Sequence, residues 1–103
     1  MKGRFDRSTT PATLRLGGDL AIDSAADLQA QLLEALASGE PTQVELEAIT
    51  EVDVTGLQLL TAAERAAQAR GVAWIRDGAM PESLRQAAED AGWERIPFAG
   101  DVQ

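Results

Sequence analysis

Polar and apolar residues change rhythm several times along the chain, and each change predicts an element. Residues 3–8 read as a short edge strand, followed by a turn at Thr9-Thr10-Pro11. Ala12 to Leu16 alternates with period two, placing Leu14 and Leu16 on one face of a strand that Gly17-Gly18-Asp19 should break. Ser24-Ala25-Ala26-Asp27 fits a capped helix start, and Leu28, Leu32, Leu33 and Leu36 then form a helical stripe. Ser38-Gly39-Glu40-Pro41 ends it, glycine past the end and proline beyond.

The strand pattern returns at Gln43–Ala48, with Val44 and Leu46 inward and Glu45 and Glu47 outward. A second helix runs from about Gly56 to Arg70, with Leu57, Leu60, Ala63 and Ala67 on its apolar face and Gly71 closing it. Val72–Arg76 reads as a core strand around Trp74 and Ile75, and Asp77-Gly78 as a turn. Pro81 suits the first position of a helix to about Ala91, with Leu84, Ala87, Ala88 and Ala91 inward; Gly92 ends it and Trp93 supplies the apolar contact after the cap. Ile96–Phe98 reads as a last strand and residues 100–103 as a loose tail.

The predicted order is β-β-α-β-α-β-α-β. Strands alternating with helices imply an α/β fold with a mixed, mainly parallel sheet of about four to five strands and helices packed mostly on one side. No linker or repeat divides the 103 residues, so one domain over 1–103 is expected.

Composition narrows the chemistry. The chain has no cysteine, no histidine and no tyrosine, and a single lysine, Lys2. Thiolate chemistry, Cys-ligated zinc, the commonest general base and the commonest metal ligand are therefore absent, and no metal or cofactor is expected. A formal net charge of −8 argues against nucleic acid and against an anionic membrane surface. No apolar run approaches the roughly 20 residues a bilayer span needs, and the N-terminus has no signal-like stretch, so the expectation is a cytoplasmic protein without membrane insertion. Neither G-x-G-x-x-G nor G-x-x-x-x-G-K-[ST] follows any strand. Glu51 and Asp53 are the candidates for paired carboxylates, but nothing around them implies a pocket, and an enzyme is not expected.

Chemistry concentrates in the turn Asp53-Val54-Thr55-Gly56-Leu57, which opens directly into a helix. A helix start carries unpaired backbone N–H groups, so a carboxylate, a hydroxyl and a glycine there serve either as structural caps or as a recognition rim. Thr55 to Gln58 reads as a capping box, which favours a capping role for the Thr55 hydroxyl.

Gly18-Asp19-Leu20 leading to a helix, the strand ending in Val52-Asp53, the Asp-x-[Ser/Thr]-Gly-Leu turn, the small-residue helix and the Pro81 helix together resemble STAS domains. That family includes bacterial anti-sigma factor antagonists and domains attached to sulphate transporters. The resemblance spans about residues 3 to 98. It implies a non-enzymatic binding module whose protein partner is an anti-sigma factor or a related kinase-like regulator. Partner contacts are expected at Asp53, Val54, Thr55, Gly56 and Leu57, with Asp19 and Asp23 from the neighbouring loop. In the antagonist branch the kinase phosphorylates the residue directly after the aspartate. Here that residue is Val54, which has no hydroxyl, so the resemblance implies docking without that switch; Thr55 is the weaker phosphoacceptor candidate. The alternative setting is a STAS subunit of a chemotaxis or two-component system, or of a lipid-trafficking ABC transporter.

Overall fold

The computed structural model describes residues 1–99; the expected tail, 100–103, lies outside the described residues. The elements are β1 (Lys2–Asp6), β2 (Ala12–Leu20), a 3-10 turn (Ile22–Ser24), α1 (Ala25–Ser38), β3 (Thr42–Val52), α2 (Val54–Ala69), β4 (Trp74–Arg76) and α3 (Glu82–Asp90). The sheet order is β1-β2-β3-β4; β1 runs antiparallel to β2, and the other two pairings are parallel. Two β-α-β crossovers therefore build a four-stranded mixed sheet with the three helices on one face.

The alternation in β2 and β3 decides which face the helices cover. Leu14, Leu16, Val44 and Leu46 point inward and are buried with Leu28 and Leu32 of α1, Leu57 and Leu60 of α2 and Leu84 of α3. Each such leucine contributes about 1.5–3 kcal/mol through removal from water. Arg4, Arg15 and Glu45 stand on the opposite face, which no helix covers.

Several expectations are corrected. Gly17-Gly18-Asp19 does not end β2, which continues to Leu20 through two register shifts against β3. Gly17 is required there: a Cβ would sit 2.9 Å from the Ala48 Cβ on the neighbouring strand. Gly18 takes φ 77° at the bulge, a conformation glycine adopts without strain. β3 likewise runs past Ala48 to Val52. Leu33 is solvent-exposed, and Ala35 takes its place in the buried stripe of α1. Ser24 occupies the N-cap position of α1, yet its side chain makes no capping bond.

At the sheet edge, β4 is shorter than expected and Ile75 is 66% exposed, pointing to the uncovered face. Pro81 is the N-cap of α3 and not its first helical residue, and Ala91 is exposed. Gly92 and Trp93 do close α3 as anticipated: their N–H groups bond the carbonyls of Glu89 and Ala88 at 3.0 and 2.9 Å. Residues 96–98 form no strand. Pro97 and Phe98 occupy a turn in which Ala99 N–H reaches the Ile96 carbonyl at 3.1 Å and Phe98 has φ 62°. Burial overrides the strand pattern here, because Phe98 folds back to stack on Trp74 at 6.1 Å.

Candidate functional site

The site assembles where β3 ends and α2 begins. Asp53 leaves the strand in an extended conformation (φ −105°, ψ −176°) and caps α2, its Oδ1 accepting the Gly56 N–H at 3.0 Å. Its other oxygen, Oδ2, accepts the Ile22 N–H at 3.1 Å from the loop after β2. The Asp53 N–H itself reaches the Leu20 carbonyl at 3.1 Å. One residue thus fixes the helix start and ties it to the β2–α1 loop.

This arrangement corrects the expected capping box. Thr55 lies inside the first turn of α2, and the oxygen on Gly56 N–H comes from Asp53, three residues upstream of that glycine. With both carboxylate oxygens bonded to backbone amides, Asp53 is a latch between segments, and neither oxygen is left without a partner.

The other expected residues divide by burial. Gly56 and Leu57 are buried and face the core. A Cβ on Gly56 would lie 2.4 Å from the Leu20 carbonyl oxygen, so only glycine lets the helix approach β2 this closely. Thr55 is half-buried, while Asp19 and Asp23 are exposed. Val54 is 49% exposed directly beside the latch.

Ile22, which the sequence reading passed over, is 70% exposed. Its backbone N–H is held by Asp53, the residue before Val54, so the two exposed apolar residues flank the same latch. The sequence shows only a branched apolar residue between Ala21 and Asp23, in a loop marked by its acids; its exposure follows from the way Asp53 pins the loop. A shallow depression of about 460 Å³ adjoins the latch, lined by Ala21, Asp53, Glu51, Ser83, Gln86 and Asp90 among others. Among the described residues no group of three carboxylates is placed to hold a metal ion. No helix among them is long and apolar enough to cross a membrane.

The family model described as Mlab, STAS domain, matches residues 4–97, and the chain belongs to the STAS family. Among solved structures, the Bacillus cell fate determinant SpoIIAA in its phosphorylated form is similar at TM-score 0.65 and 19% identity, covering 99% of this chain and 92% of that one. The anti-sigma factor antagonist SpoIIAA in its unphosphorylated form gives TM-score 0.64 and 18% identity, covering 99% and 90%. A structure of Mglu matches at TM-score 0.63 and 20% identity over 74% of this chain, which spans only 19% of that protein. No curated protein matches the chain. At these identities the likenesses carry the fold: a STAS domain similar in structure to anti-sigma factor antagonists.

Proposed function

We propose that this chain is a non-enzymatic protein-binding module of the antagonist type, a single domain acting in the cytoplasm. It docks through the exposed rim of Ile22, Val54, Asp19 and Asp23 onto an anti-sigma factor or a related kinase-like regulator. The observation that carries this reading is the pairing of a rigid latch with exposed apolar side chains. Both oxygens of Asp53 are bonded, and beside it Val54 and Ile22 leave about half or more of their apolar surface in solvent. Rigid backbone under exposed apolar side chains lowers the ordering cost of association.

Val54 occupies the position where the antagonist branch carries a phosphoacceptor. A phosphate there would add about −1.5 to −2 charges beside Asp53 and repel a docked partner. Valine keeps the bulk and removes the acceptor, so the docked state is not reversed by ATP. Pull-down of the partner from the native host tests this: the wild-type complex should survive ATP, and a Val54→Ser protein should be released when ATP is added. Release of the wild type by ATP, lost again in Thr55→Ala, would mean that Thr55 carries the switch and that this reading of Val54 is wrong. Val54→Asp should keep its fold and lose the partner.

The family description, Mlab, favours a second setting for the same rim, a STAS subunit gripping the ATPase of a lipid-trafficking ABC transporter. Co-purification with an ATPase subunit in place of a sigma-factor regulator would decide for it.

A further inference from the structure

The uncovered face of the sheet carries an ordered charge pattern. Strand register aligns Arg4 of β1 with Arg15 of β2, and Arg15 with Glu45 of β3. Val44 pairs with Arg76 of β4, so the next residue along, Asp77, falls beside Glu45; its N–H bonds the Val44 carbonyl at 2.8 Å. Across the strands the row therefore reads Arg4, Arg15, Glu45, Asp77: two cations, then two anions.

We propose that two copies of this chain pair through these faces, related by a two-fold axis that lies between the two sheets and runs parallel to the strands between β2 and β3. That rotation lays β1 over β4 and β2 over β3 of the second copy. Arg4 then meets Asp77 of the other chain, Arg15 meets Glu45, and each contact occurs twice, as an isologous interface requires. A two-fold axis in the same plane but perpendicular to the strands would put Arg4 over Arg4 and Glu45 over Glu45. Charge thus selects one arrangement and rejects the other.

Local shape agrees. The position two residues beyond Arg15 is Gly17, which aligns with Ala48 on β3, so the two central strands carry no large side chain in that row, and Lys2 stands beside them on the edge strand. Stacked sheets need a spacing of about 10 Å. Within each copy Arg15 already bonds Glu45 at 2.8 Å, so pairing joins two ion pairs into a ring of four alternating charges. Among the described residues Arg4 has no ion-pair partner of its own, and the second copy supplies one. Each chain carries a net charge of −8, which opposes association at long range, and the complementary row has to outweigh it.

Sedimentation velocity on the full chain over a concentration series tests the proposal, with circular dichroism confirming that every variant is folded. Wild type should show a monomer–dimer equilibrium. Arg4→Asp should weaken it by about tenfold or more, because like charges then face each other. Arg4→Asp combined with Asp77→Arg should restore it. Arg70→Asp changes net charge equally but lies at the end of α2 on the helix side, and it should leave the equilibrium unchanged. A wild type monomeric to about 0.5 mM, far above the concentrations at which specific pairs form, would overturn the proposal. So would a dimer on which Arg4→Asp and Arg70→Asp act alike, or one that the double exchange does not rescue.

Discussion

The carboxylate of Asp53 holds the backbone N–H of Ile22 at 3.1 Å, across 31 residues of sequence. Its other oxygen caps α2 through Gly56, so a single side chain sets the geometry of both segments that form the rim. Removing it should therefore loosen two places at once. Asp53→Ala should cost about 1–2 kcal/mol in urea denaturation, because a helix cap and a second amide partner are lost together. Asp53→Asn should cost less, since its one carbonyl oxygen can keep Gly56, while hydrogen exchange at the Ile22 amide speeds up. Unchanged exchange at Ile22 in both variants would disprove the latch.

Gly56→Ala should destabilise by about 1–3 kcal/mol, the range expected for overpacking in a closed space. The added methyl would stand 2.4 Å from the Leu20 carbonyl oxygen, which belongs to a sheet strand and cannot swing aside. Thermal unfolding checks this; a neutral result would mean that α2 slides away from β2 without penalty.

Thr55→Ala separates the observed cap from the expected one. If Thr55 were the capping residue, its loss would cost about 1 kcal/mol. Because Asp53 supplies the capping oxygen, the change should stay within about 0.5 kcal/mol, helped by the better helix propensity of alanine. Chemical denaturation of the two proteins side by side distinguishes these outcomes.

Asp6 should titrate below its ordinary carboxyl value of 3.8. The Ser8 hydroxyl donates to its Oδ1 at 2.6 Å and the Ser8 N–H at 2.9 Å, both favouring the charged form. The sign follows from linkage. With the folded value depressed, the interaction stabilises the fold above 3.8 and is lost as pH falls through the lower folded value. Ser8→Ala should move the Asp6 titration, followed by carboxyl-carbon NMR, back up toward 3.8. An unmoved titration would show that the turn does not act on it.

Much of the fold was legible because burial and local pattern agree. Leu14 and Leu16, Val44 and Leu46, and the Leu57, Leu60, Ala63, Ala67 face all lie where their spacing put them. The misreadings share a cause, a contact between segments distant in sequence. Gly17 looks like a strand breaker, yet it is the residue that fits against Ala48 across the sheet. Thr55 looked like the cap because local sequence offers it a partner in Gln58, whereas the true cap is fixed by a bond to Ile22. Phe98 looked like a strand residue and turned back onto Trp74. At the site, the acidic turn and the Val54 substitution could be read directly. The exposure of Ile22 could not, because it depends on how the loop is pinned.

The one-sided placement of the helices has a steric consequence. A ligand seated on the Val54 rim meets the ends of β2 and β3, whereas a second copy is centred on the Arg15–Glu45 row nearer their starts, so the two contacts fall on different parts of the molecule. Because the axis relating the two chains runs parallel to the strands, both rims would lie at the same end of the pair, and a partner with two matching sites would be held by avidity greater than either contact alone provides.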